Sequence, residues 1–473
     1  MKNSELDRAI LAHFSPGFGG TDIPDWLKSW LERGLGGITL FSSNCPSLEE
    51  TARLVQDLRR GSEHLIISID EEGGDVTRLF VREGSPFPTP AMLGLCNDVK
   101  LTEDTYFELG KVLKQLDIDM NLAPVADVAE SKENPIVGVR SFGSDYGKVT
   151  SQTESAVRGL KKAGVAPCVK HFPGHGGIHV DSHHDLAVLS GSIDKLEKTH
   201  IAPFINSINS ETDAIMVGHI VLEAIDNKFP TSQSRLVISE YLRKGLKFNG
   251  LVVTDALDMG ALGGPKRVAH SATNALLAGA DILCFSGLYD QADFISSSFE
   301  MIKSAVKGDD ELSNSIMESA TRLRAWKPPK PQGSSAPKKM SIAPFASGFQ
   351  VQGDVKVSKE NITLIELSAD PTIAAGYVAW GLRRALTHAG KKVRLESSDV
   401  DHKHGSNTQL VVAFRDAFRD KKLRRSLDRI ECEYPDAVFV DMGWPTYDFN
   451  PRNIIRTFGS SALASDAAVS RML

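Results

Sequence analysis

The chain has few cysteines, no long apolar run and no basic cluster. Its five cysteines (Cys45, Cys96, Cys168, Cys284 and Cys432) are odd in number and scattered, and no two form a Cys-x-x-Cys pair. That argues against a disulfide framework or a zinc ribbon, and leaves reduced thiols as the plain reading. No stretch approaches the roughly 20 apolar residues of a membrane span, so no membrane partner is expected. The first eight residues hold no apolar h-region, and a cytoplasmic protein is expected unless a leader has been trimmed. Acidic residues (60) outnumber Lys and Arg (54), giving a formal net charge of -6, which argues against a nucleic-acid partner. The turn Ser15-Pro16-Gly17-Phe18-Gly19-Gly20 lacks Gly-x-Gly-x-x-Gly spacing, so a dinucleotide site is a weak reading.

What is present is an alternation. Short apolar runs at Ala9–Phe14, Gly37–Phe41, Leu65–Asp70, Asp119–Pro124, Ala166–His171, Ala214–Ile220, Leu251–Asp255 and Ala280–Phe285 read as strands. Helical patterns lie between them, among them Leu48–Arg60, Thr102–Gln115, Lys148–Ala163 and Arg235–Leu246. Eight such units predict an α/β protein with an N-terminal (β/α)8 TIM-like barrel over residues 1–326. An open doubly wound sheet is the runner-up. The proline-rich stretch Lys327–Lys339 begins a linker taken to residue 355. Residues 356–473 then predict a smaller C-terminal αβα sandwich, with strands at Asn361–Leu367, Lys392–Glu396, Gln409–Phe414 and Ala437–Met442. Its helices are expected at Ile373–Ala389, Lys421–Cys432 and Ala462–Leu473.

Barrel enzymes carry their chemistry at the carboxyl ends of the strands. Here the runs end in Asp70, in Lys170-His171, near His219 and in Asp255. Five of the thirteen histidines fall between Lys170 and Asp185. His171, His175, His179 and His183 recur every fourth residue, a spacing that would stack metal ligands on a helix. Pro173, Gly174, Gly176 and Gly177 break any helix, so the stretch is expected to be a loop and no metal site is assigned. Asp181, two residues before His183, can accept the imidazole N–H and raise its basicity. Asp258 is expected at the start of the helix after Asp255. Asp70, Arg78, Arg140, Lys170 and His171 could grip sugar hydroxyls, and the cations would serve a phosphate equally well.

Lys170-His-Phe-Pro-Gly-His-Gly-x4-Asp181-Ser-His183, with Asp70-x-Glu-Gly-Gly, Arg140-Ser-Phe-Gly and Val253-Thr-Asp255-Ala-Leu-x-Met259, resembles glycoside hydrolase family 3. Within it the chain is similar to the β-N-acetylglucosaminidases that act on peptidoglycan fragments, and Val440–Pro445 more loosely resembles the second domain of the two-domain members. The resemblance implies a retaining, exo-acting enzyme without a cofactor, whose partner is an N-acetylglucosamine-containing saccharide. Asp255 is then the nucleophile, and His183 the general acid/base with Asp181 as its dyad partner. Asp70, Arg78, Arg140, Lys170 and His171 hold the sugar ring. A histidine in that role leaves phosphorolysis open beside hydrolysis. A broader β-glycosidase of the same family and an inactive sugar-binding protein are the other readings. Three positions depart from the pattern: Glu71 for a glutamine, Asp75 for an arginine and Ala187 for a proline. The two extra acids bear on the setting of Asp70 and on which fragment is preferred. The aglycone and the oligomeric state are not readable in the sequence.

Overall fold

The apolar runs of residues 14–284 become short strands, set out by a computed structural model: β1 Phe14–Ser15, β2 Gly37–Leu40, β3 Ile66–Ile69, β4 Met120–Asn121, β5 Ala166–Phe172, β6 Ala187–Leu189, β7 Ala214–Val217, β8 Ile220–Leu222, β9 Leu251–Thr254 and β10 Leu283–Cys284. Residues 2–62, 64–131, 134, 136–178, 186–287, 291–333, 335–370, 372, 374–397, 407–445 and 449–473 are described. Contacts divide the chain into two units. The first comprises residues 1–71, 99–128 and 145–337, and the second 72–98, 129–144 and 338–473.

In the first unit, β2, β3, β5, β7 and β9 are buried along their whole length. Continuous burial is what parallel strands show when both faces are covered. Six strands form one curled parallel sheet in the order β2-β3-β4-β5-β7-β9. β1 and β10 pair in parallel, Phe14 opposite Leu283. The Thr39 amide donates to Pro16 O (3.1 Å) beside β1, and the Thr254 amide donates to Ile282 O (2.9 Å) beside β10. Side chains from successive strands (Ile66, Met120, Cys168, Met216, Val253 and Cys284) meet in one core, with Trp326 against it. Fully burying an aliphatic side chain of this size stabilises by about 1.5–3 kcal/mol. The helix Tyr146–Ala163 shows how local signals frame such a layer. Asp145 accepts from the Lys148 amide at 2.7 Å to start it, and Gly164 ends it at φ 84°.

In the second unit the strands are β11 Gln350–Gln352, β12 Asn361–Ser368, β13 Lys392–Leu395, β14 Thr408–Arg415, β15 Val438–Asp441 and β16 Ile454–Arg456. They form one sheet in the order β11-β16-β15-β14-β12-β13, parallel except for β11 against β16. The helix Lys421–Glu433 buries Leu423, Leu427 and Ile430 in a core that includes Val412, Phe414 and Phe439.

Several elements differ from expectation. Ala9–Leu11 ends a helix, Lys2–Leu11, and only Phe14–Ser15 of that run is strand. A short apolar run suits a buried helix face as well as a strand. In place of a helix over Ile373–Ala389, the described helix is Leu382–His388, because Gly376 and Gly381 take left-handed φ values of 65° and 83°. Leu236–Gly245 is a π-helix. β6, β8, β11 and β16 were not foreseen. The proline-rich stretch is strapped to the first unit: the Gln332 amide donates to Lys162 O (2.7 Å), and Lys111 Nζ donates to Ala336 O (2.9 Å). No helix among the described residues is long and apolar enough to cross a membrane.

Candidate active site

In the first unit, polar side chains gather at the carboxyl ends of β3, β4, β5 and β9. Asp70 follows β3, and its carboxylate accepts from Lys170 Nζ at 2.6 Å, with the lysine only 2% exposed. A buried ammonium needs such a partner, since an unpaired charge there costs several kcal/mol. Asn121, at the end of β4, clamps the peptide after Asp70. Its Oδ1 accepts from the Glu71 amide (3.0 Å) and its Nδ2 donates to Glu71 O (2.8 Å). Glu71 itself is buried. The Lys170–His171 and Phe172–Pro173 peptides are cis.

Asp127 organises the start of the histidine loop. Its Oδ2 faces His171 Nδ1 at 2.6 Å, and its Oδ1 accepts from the His175 amide at 2.7 Å and the His171 amide at 3.3 Å. Burial alone would raise this carboxyl, but the facing His171 and His175 outweigh it and hold it at about 2. An acid ionised at that position can only accept, so His171 Nδ1 carries the proton. His175 is held down at about 4, chiefly by burial, against the opposing charge of Asp127. Gly176 allows the loop to lie on the chain, because a Cβ there would meet Val128 O at 1.5 Å.

Asp255 follows β9 and is half-buried. Its amide donates to Val217 O (3.0 Å), and its Oδ1 accepts from the Ala256 amide (2.8 Å). His219 braces the same turn: Nε2 lies 2.8 Å from Ala256 O and Nδ1 lies 2.8 Å from Ser232 Oγ. A carbonyl oxygen only accepts, so Nε2 is protonated and Nδ1 accepts from the hydroxyl. Asp258 does not start a helix. Its Oδ1 accepts from the Ser286 amide (2.9 Å), tying the turn after β9 to the one after β10, and the next helical turn begins at Gly260.

In the second unit, Arg140 forms a two-pronged pair with Glu72, Nε to Oε2 at 2.9 Å and Nη2 to Oε1 at 2.8 Å. Arg78 Nη1 donates to Ala374 O at 2.9 Å. Gly73 and Gly74, at φ 91° and 61°, make the turn that follows Glu72, and a Cβ at Gly74 would meet Thr89 Cγ2 at 2.1 Å. Asp75 lies 2.7 Å from Arg415 Nη2.

Residues 21–325 match the glycosyl hydrolase family 3 N terminal domain. The chain belongs to glycoside hydrolase family 3. As a family 3 member it is a glycoside hydrolase, and its curated relatives carry consistent names. It is 30% identical over 266 residues to a beta-hexosaminidase of Chromobacterium violaceum, covering 55% of this chain and 74% of that protein. It is 29% identical over 303 residues to the beta-hexosaminidase LpqI of Mycobacterium tuberculosis, covering 63% and 76%. A family 3 beta-N-acetylglucosaminidase from Paenibacillus sp. str. FPU-7 superposes with a TM-score of 0.86 at 25% identity, over 99% of this chain and 96% of that one.

The family 3 site residues read from the sequence therefore stand as follows. Asp70, Lys170, His171 and Asp255 sit at strand ends of the first unit, with Asp70 paired to Lys170. Arg78 and Arg140 are held by partners in the second. Asp181 and His183 lie outside the described residues. Asp127, Asn121 and Glu72 were missed. Asn121 is the last residue of β4, and Asp127 ends the apolar stretch Leu122–Ala126 beyond it, the same change from apolar run to acid that marked the others. Among the described residues, no group of three or more His, Cys, Asp or Glu could hold a metal.

Proposed function

We propose that the protein is a retaining, exo-acting β-N-acetylglucosaminidase that removes terminal N-acetylglucosamine from peptidoglycan-derived fragments. The observation that carries this is Asp255 at the end of β9, on the same edge of the sheet as the Asp70–Lys170 pair and the Asp127–His171 pair. The names of the relatives and of the Paenibacillus structure support the choice of sugar. On this reading the eight parallel strands β1–β5, β7, β9 and β10 act as a (β/α)8 barrel, and the residues after the proline-rich stretch as an αβα sandwich.

Asp255 attacks the anomeric carbon and forms a covalent glycosyl-enzyme. The Ala256 amide holds its carboxylate, and His219 fixes the turn through Ala256 O. His183, poised by Asp181, gives its proton to the leaving oxygen. It then takes one from the water that releases the sugar. Asp70, Lys170 and His171 hold the sugar ring, and Arg78 and Arg140 are assigned to it by the family resemblance alone. His171, protonated on Nδ1 by its bond to Asp127, offers Nε2 to the sugar.

The test is turnover of 4-nitrophenyl N-acetyl-β-glucosaminide by wild type and Asp255→Ala, with and without inorganic phosphate. Wild type should release free N-acetylglucosamine, and the variant should be folded and inactive. Near-normal turnover in Asp255→Ala would remove the nucleophile assignment. A sugar 1-phosphate as the product would make the enzyme a phosphorylase. Sugar binding without turnover by wild type would leave a binding protein.

A further inference from the structure

The five parallel strands of the second unit run in the spatial order β13-β12-β14-β15-β16. Numbered along the chain this is 2-1-3-4-5, an order used by open doubly wound sheets. Such sheets bind ligands outside the carboxyl ends of their strands, where the winding reverses. Here the reversal falls between β12 and β14. That position is taken up by the chain itself. Arg415, the last residue of β14, faces Asp75 with Nη2 2.7 Å from Oδ2, and its Nη1 donates to Ser460 Oγ at 2.8 Å. The Ser460 amide, beyond the end of β16, donates to Asp75 Oδ1 at 2.7 Å. Asp75 and Arg415 are 2% and 8% exposed, so the pair is shielded from screening by solvent.

The contacts continue along the same segment. Arg78 Nη1 donates to Ala374 O (2.9 Å), just past the end of β12. The Ala379 amide donates to Val81 O (2.9 Å), and Thr89 Oγ1 donates to Phe458 O (2.6 Å). A small anionic ligand in such a crevice would be met by a cation and a backbone N–H. Asp75 receives both.

We propose that the second unit's sheet uses its ligand crevice to hold the chain's own segment 72–98, with Asp75 as the anion. Arg415 is then a positioning residue for Arg78 and for the Glu72–Arg140 pair. This gives the C-terminal region a task in the family 3 reaction without a catalytic group of its own. The buried acid at position 75 is matched by a cation from β14. The proposal rests on the reading that Arg78 and Arg140 contact the sugar. Its structural half stands apart from that reading.

Two measurements on the full chain test it. In Arg415→Met, amide hydrogen exchange should quicken in peptides covering residues 72–89 and stay unchanged in β3, β5 and β9. KM for 4-nitrophenyl N-acetyl-β-glucosaminide should rise about tenfold, the equivalent of one charge-assisted contact, with kcat changed less than about threefold. Asp75→Asn, which keeps an oxygen for the Ser460 amide, should show the same pattern more weakly and guards against a variant that fails to fold. The charge swap Asp75→Arg with Arg415→Asp should restore both readouts in part. Unchanged exchange and KM in a folded Arg415→Met, or a swap as impaired as the single variants, would overturn the proposal. Should wild type not turn the substrate over, the glycosidase reading fails. The exchange comparison then decides the clamp alone.

Discussion

Replacing Asp127 by asparagine tests the site at its most constrained point. The carboxylate accepts from two backbone amides and faces His171 Nδ1 at 2.6 Å. An asparagine oxygen can keep one or two of those bonds, but its NH2 group would then confront a nitrogen that already carries a proton. His171 must move that proton to Nε2 or turn away. The native carboxyl is held at about 2 against an ordinary 3.8. At 1.36 kcal/mol per unit, that depression is worth about 2 kcal/mol of folding stability at neutral pH. A depressed acid contributes fully above about pH 4, and its contribution is lost as the pH falls toward 2. Asp127→Asn should therefore lose about 2 kcal/mol in urea denaturation at pH 7, and distinctly less at pH 3. Turnover should suffer more than stability, because displacing His171 from the sugar-holding role we propose for it would cost on the order of 100-fold in kcat/KM. A variant as stable as wild type at pH 7, or a deficit equally large at pH 3, would refute the ionised pair.

Two further outcomes follow from the same physical rules. Burial pushes Asp441, at the end of β15, up to about 7, although its Oδ1 accepts from the Gly443 amide at 3.1 Å. The folded chain keeps that proton where the unfolded chain has lost it, so stability falls as the pH rises from about 4 to 7. Asp441→Asn keeps the acceptor and cannot ionise. Its thermal unfolding at pH 8 should show a gain of up to about 4 kcal/mol that shrinks toward pH 5, and a loss at pH 8 would contradict the assignment. His183→Ala should slow natural fragments more than aryl glycosides with good leaving groups, which need less protonation. Equal losses on both, in parallel steady-state assays, would count against a proton donor at that position.

The parallel strands were legible because burial on both faces demands largely apolar runs, and β2, β3, β7 and β9 are such runs, broken only by Thr39, Ser68 and Thr254. Their polar termini marked Asp70, Lys170 and Asp255 for the same reason: a charge can end a buried strand only where it finds a partner or a cleft. The Ala9–Leu11 turn of helix was not legible, since three apolar residues carry no period. Nor were the pairs. Glu72 with Arg140 and Asp75 with Arg415 are joined by folding across long stretches of chain, and no local propensity records which acid will meet which cation. Asp75 therefore read as a surplus charge near Asp70, whereas its partner stands at the end of β14.

The path of the chain has a consequence for how such proteins can be recombined. It passes between the two units at 71/72, 98/99, 128/129, 144/145 and 337/338. A single cut after residue 337 would thus strip the segments 72–98 and 129–144 of the sheet they fold with. The two units are interleaved along the sequence rather than consecutive. A chimera that imports another C-terminal region would need its position-75 loop as well, or carry an orphaned acid into the interior.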